Sequence, residues 1–138
     1  MRTPRVGRRA ATIVSIAFAL ATMPNAQAAV SAEPVRAARH GDCTGVSHWQ
    51  LRVVTLDTSE LRVRFLVFGG EEGQTWNVYL DRDGVGFFAG SRDAGIGGLV
   101  HVRQRIPDLP GEELIRAAGH NVVTGEVCRG RVRARIPG

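Results

Sequence analysis

Lysine is missing altogether, and arginine supplies all eighteen basic side chains of the 138 residues. That imbalance reads as the codon preference of a GC-rich genome and carries no chemistry of its own. Long apolar runs are missing as well. The longest, Ala10 to Ala21, is about a dozen residues, against the ~20 that a membrane-spanning helix requires, so no membrane span is expected. Aromatic residues make up only 6% of the chain and are not interleaved with the arginines, so no nucleic-acid partner is expected. No histidine pair has the i, i+4 spacing of a helical metal site, and no serine sits in a nucleophile-elbow sequence. These gaps leave no catalytic residues, metal or cofactor to expect, and the chain reads as a non-enzyme.

Residues 1–28 follow the pattern of a secretory signal. Arg2, Arg5, Arg8 and Arg9 precede the apolar core, and Ala26-Gln27-Ala28 supplies the small-x-small site, so cleavage is expected near Ala28. Arg8-Arg9 lacks the bulky apolar follow-up of a twin-arginine signal, which favours the general secretory route. No cysteine stands at the cleavage site to carry a lipid anchor. Four arginines leave with this segment and no acidic residue does, so fourteen arginines face thirteen carboxylates in the mature chain. The remaining positive excess sits in the flanks, at Arg36 and Arg39 and at Arg129, Arg131, Arg133 and Arg135.

Two cysteines, Cys43 and Cys128, bracket nearly everything that looks able to fold. In an exported protein they are expected to form one disulfide. Residues 29–41 read as a flexible lead-in and 42–130 as the folded domain. Residues 131–138 read as a basic tail that either extends the last strand or frays.

Between the cysteines, period-2 alternation recurs. Trp49, Leu51 and Val53 alternate with Gln50 and Arg52; Leu61, Val63, Phe65 and Val67 with Arg62 and Arg64; Trp76, Val78 and Leu80 with Asn77 and Tyr79. Asp57–Glu60 and Asp81–Gly84 read as hairpin turns, and Leu99–Arg105 as a further strand. Asp81-Arg82-Asp83-Gly84 also resembles the start of a calcium loop, but the twelfth position from Asp81 is Arg92, where a carboxylate is required. Residues 112–119 start like a helix, with Glu112 and Glu113 early and Arg116 late, yet a sandwich needs a strand there, and strand is the expectation. The fold class is all-β, an antiparallel β-sandwich of about seven strands, its first and last strands tied by the disulfide.

Cys43-Thr44-Gly45, Gly73-Gln74-Thr75-Trp76-Asn77-Val78, Gly97-Gly98 and Thr124-Gly125-Glu126-Val127-Cys128, in that order, resemble a group of small secreted actinobacterial proteins of unknown function. The likeness covers roughly residues 43–130. It implies an immunoglobulin-like sandwich and no activity, cofactor or catalytic residue.

The glycine-rich loops 69–73 and 93–98 lack the strand-to-helix context of a phosphate cradle and read as flexible connections. Sandwiches recognise partners with their end loops, so Glu71, Glu72, Asp93 and Ile96 are the candidate binding residues. The four histidines, His40, His48, His101 and His120, read as structural or solvated, and Trp49, Trp76 and Phe65 as core. Phe87 and Phe88 are neighbours, so one of them is expected on the face opposite the other. The functional expectation is a monomeric extracellular module that binds a protein, glycan or envelope component. The alternatives are a hydrolase whose residues converge only in the fold, or a small-ligand carrier.

Overall fold

The structure is a computed structural model and describes residues 35–56 and 59–135. The expected signal segment and cleavage site, the rest of residues 1–34 and the last three residues lie outside the described residues, as do two positions of the expected Asp57–Glu60 turn. Eight strands follow in chain order: β1 Val35–Asp42, β2 His48–Thr55, β3 Glu60–Phe68, β4 Thr75–Arg82, β5 Val85–Asp93, β6 Val100–Pro107, β7 Glu112–Asn121 and β8 Val127–Arg135. They form two four-stranded antiparallel sheets, ordered β1-β2-β3-β6 and β5-β4-β7-β8. The order β2-β3-β6 facing β5-β4-β7-β8 is the immunoglobulin-like arrangement, with β1 added outside β2. Cys43, directly after β1, is bonded to Cys128 in β8. No helix of the described residues is long and apolar enough to cross a membrane.

The alternation in the sequence becomes two inner faces. Leu51, Val53, Leu61, Val63, Phe65, Val67, Val100 and Val102 from one sheet meet Trp76, Val78, Leu80, Ile115 and Val132 from the other. Each fully buried aliphatic or aromatic side chain contributes roughly 1.5–3 kcal/mol over an exposed one, and this inner layer is the main source of stability. Trp49 closes the seam between β1 and β8. Its ring lies against Gly41 and Gly130, where an added Cβ would stand 2.9 and 2.4 Å from ring atoms. Both glycines make room for one indole.

The β4–β5 turn has Asp83 at φ 50° and Gly84 at φ 86°, the pair of positive values that makes a two-residue type I′ hairpin. Asp81 stabilises it by accepting the Gly84 N–H at 3.2 Å and the Arg116 Nε–H at 3.0 Å.

Three expectations need correction. Val35–Asp42, inside the expected flexible lead-in, is strand β1, paired in register with β2 from Ala37↔Val53 to Asp42↔His48. Its inner positions are Ala37, Arg39 and Gly41, too small or too polar to give an apolar alternation, and this brings the strand count to eight. The folded domain, expected to end at 130, continues through residues 131–135, which extend the last strand β8, one of the two outcomes expected of the tail, with Val132 and Ala134 buried. Phe87 and Phe88 both pack against the core. The register slips at Leu80/Asp81, which pair with Phe88 and Gly86, so Phe87 is the extra residue of a β-bulge and parity no longer separates the two rings. The strand expected over 112–119 is β7. Glu113, Ile115, Ala117 and Gly119 face inward and are buried.

Glu113 is the cost of that pattern. Its carboxylate is buried with Arg82 Nη1 at 3.5 Å. Burial raises its pKa above the ordinary value and the Arg82 charge offsets only part of the rise. The folded state therefore favours the protonated acid. That advantage is full below the unfolded pKa and is lost as pH rises through the raised folded value. Wild type should accordingly lose stability relative to Glu113→Gln as pH is raised from about 4 to about 7. Urea unfolding of both proteins across that range checks it, and a constant difference would contradict the assignment.

Candidate functional site

Because successive strands reverse direction, connections 43–47, 69–74, 94–99 and 122–126 all open at one end of the sandwich. The two glycine-rich loops, expected to be flexible, are pinned to each other and to the strands. Gly69 N–H donates to the Gly97 carbonyl at 2.8 Å, Gly73 N–H to Ala94 at 2.7 Å, and Ala94 N–H to Gln74 at 2.8 Å. Residues 96–98 form a single 3-10 turn. Gly98 adopts φ 69° directly on the Gly70 backbone. Backbone hydrogen bonds this dense give a fixed surface, and the glycines allow the two loops to touch.

Side chains complete the frame. Glu126 is buried and accepts the Ser47 N–H at 2.9 Å and the Ser47 hydroxyl at 2.6 Å. An added Cβ at Gly45 would lie 2.3 Å from the same carboxylate, so Gly45 leaves room for it. Asn121 accepts the Val123 and Thr124 N–H groups with Oδ1 and donates from Nδ2 to Gln74 at 2.7 Å. Thr75 donates to Asp93 at 2.7 Å, and Gln74 to Glu71 at 3.2 Å. The Gln-Thr-Trp and Thr-Gly-Glu-x-Cys pieces are thus the cross-braces of this end, with Trp76 in the core and Cys128 in the disulfide.

This frame brings together all four candidate residues. Glu71, Glu72 and Asp93 are exposed, and Ile96 is 86% exposed. The apolar part of the surface was larger than the sequence suggested: Val46 at 73% and Val123 at 67% stand with Ile96, and Phe68, Leu99 and Val122 are also exposed. Val46 and Val123 were not recognisable as surface residues, because a valine in a short turn looks the same as one buried beneath it. A hollow of about 320 Å³ between Val46, Glu71, Gln74 and Thr124 indents this end. None of the four loops contains an arginine, while Asp42, Glu71, Glu72 and Asp93 are exposed there. The surface is apolar with acidic margins.

Elsewhere the arrangement offers little chemistry. His48 is held by Asp42 at 2.7 Å and lies against the Phe68 ring. Ser91, Asn77 and His120 occupy one outward row of the second sheet, but Ser91 donates to the Asn77 side-chain oxygen at 2.6 Å. An amide cannot take up the hydroxyl proton, and it stands between the serine and the imidazole. Among the described residues no group of three or more His, Cys, Asp and Glu side chains could hold a metal ion. A recess of about 710 Å³ is a wide trough along the outer face of the second sheet, lined by Tyr79, Arg39, Arg116, Arg129 and Arg131 beside Trp49. Its one carboxylate, Asp81, is held by Arg116.

Comparison with family models, with curated proteins and with solved structures finds no match to this chain.

Proposed function

We propose that the protein is an extracellular, non-enzymatic interaction module that binds a protein partner through the loop end of the sandwich. The observation that carries this reading is the braced end itself: five exposed apolar side chains in its loops, Val46, Ile96, Leu99, Val122 and Val123, with carboxylates at the margins and no arginine in the loops. Exposed apolar clusters with a polar rim mark protein interaction sites, and a pre-formed surface binds without the cost of ordering loops. The partner's matching surface is apolar and basic. The disulfide and the signal-like residues 1–28 support an extracellular setting.

Ile96→Arg with Val123→Arg should abolish retention of that partner from the secretome and envelope fraction. It should leave the melting temperature within a few degrees of wild type, because both side chains are solvent-exposed. Capture with immobilised wild type and double variant, compared by mass spectrometry, checks this. Equal retention of the same protein by both would refute the loop-end assignment.

A further inference from the structure

The outer face of the first sheet carries a feature that linear sequence conceals. In register, Arg52 of β2 is directly opposite Arg64 of β3, and Arg64 directly opposite Arg103 of β6. The next row pairs Arg62 with Arg105. Adjacent strands are about 4.8 Å apart, so three guanidinium stems share a row roughly 10 Å wide. Like charges directly opposite each other destabilise a sheet, and nothing in the fold requires three in line.

Counter-charge is confined to the edge of this array. Glu60 lies 3.7 Å from Arg105. Among the described residues, no carboxylate pairs with Arg52, Arg64 or Arg103. The Nε atoms of Arg52 and Arg64 are buried and have no hydrogen-bond acceptor. Between these two arginines, Gln50 and Leu66 is a hollow of about 150 Å³, roomy enough for a phosphate group. His101 stands one row away, opposite Leu66. Its pKa is held below the ordinary value, first by burial and then by the charges of Arg64 and Arg103. Of the basic side chains elsewhere, Arg82, Arg116, Arg133 and Arg135 are paired with Glu113, Asp81 or Glu112, while Arg129 and Arg131, exposed on the other sheet, lie opposite Ala118 and the paired Arg116.

We propose that Arg52, Arg64 and Arg103, flanked by Arg62 and Arg105, form a binding face for a linear, phosphate-rich polyanion that carries no bases. Guanidinium groups donate in a planar fork that matches phosphate oxygens, and a row of three meets successive anionic groups of one chain. A chain without bases fits the lining: Gln50 and Leu66 stand beside the arginines, Phe68, two rows off, lies against His48, and the one ring next to the row is the His101 imidazole, so no Phe, Tyr or Trp platform adjoins it. This face is separate from the loop end, and its binding does not depend on the protein partner proposed above.

The probe is medium-chain inorganic polyphosphate, titrated into the mature domain by calorimetry. Binding that neutralises three charges of a single-stranded chain should weaken about 20-fold between 50 and 200 mM salt. Arg52→Gln, Arg64→Gln and Arg103→Gln combined should weaken it at least about 10-fold and flatten the salt dependence. Arg129→Gln with Arg131→Gln, on the other sheet, should leave it unchanged. In the wild type, bound polyphosphate should raise the His101 pKa, followed by imidazole NMR shifts, a readout that needs no variant. Full binding by the triple variant, or an unmoved His101, would overturn the proposal. Equal or tighter binding of oligo-dT or dextran sulfate at matched charge would overturn the base-free phosphate assignment.

Discussion

Reduction of the Cys43–Cys128 bond should lower the unfolding free energy by about 4–5 kcal/mol, the loop-closure entropy returned to an unfolded chain whose cysteines are 85 positions apart. For a domain of about 100 residues this amounts to a fall in melting temperature of about 20–30 °C. Folded contacts at the junction remain, since Thr44 N–H still donates to the Val127 carbonyl at 2.9 Å and Val127 N–H to the Thr44 hydroxyl at 2.9 Å. The loss therefore acts through the unfolded chain. Total stabilities of about 5–15 kcal/mol leave little margin once it is gone. Thermal melts with and without reductant, and of Cys43→Ser with Cys128→Ser, provide the measurement. Coincident curves would mean that β1 and β8 are held equally well without the bond.

The second large effect is expected at Gly98. A Cβ there would lie 2.5 Å from the N, C and O atoms of Gly70, all of them backbone, and the residue sits at φ 69°. Gly98→Val therefore combines a left-handed backbone conformation unsuited to a β-branched residue with a collision that only loop movement can relieve. A loss of about 3–5 kcal/mol is expected from these two costs. Gly97→Ala separates them. Gly97 has φ 71° but nothing within 4 Å of its Cβ position, so only the backbone cost of about 1–2 kcal/mol applies. Urea unfolding of the pair gives the comparison, and equal losses would show that the two loops do not touch.

Local alternation made most of the strands legible before their pairing was known. Leu61 to Val67 could hardly have been anything but a half-buried strand. Residues 112–119 were legible only through the needs of the sheet. Glu112, Glu113 and Arg116 are ordered as in a helix, and it is the inward set Glu113, Ile115, Ala117 and Gly119 that fits between β4 and β8. β1 gave no such signal, since alanine and glycine bury little, and the reason for Gly41 is the ring of Trp49 opposite. The end loops were recognisable as candidates by composition. Their bracing was not, because Ser47 and Glu126 are 79 positions apart and Gln74 and Asn121 are 47 apart. The arginine row was hidden for the same reason. Arg52, Arg64 and Arg103 each read as an ordinary outward residue of its own strand, and only the register brings them into line.

The carboxylates of the described domain gather at its two ends, Asp42, Glu71, Glu72, Asp93 and Glu126 beside the loops and Glu60, Asp81, Asp83, Asp108, Glu112 and Glu113 beside the opposite turns, while the arginine row crosses one broad face between them. Near a negatively charged surface that face is the part drawn in, within the screening distance of about 8–10 Å at ordinary salt. The domain then lies flat on an anionic layer, its apolar loop end at the side and open to the medium.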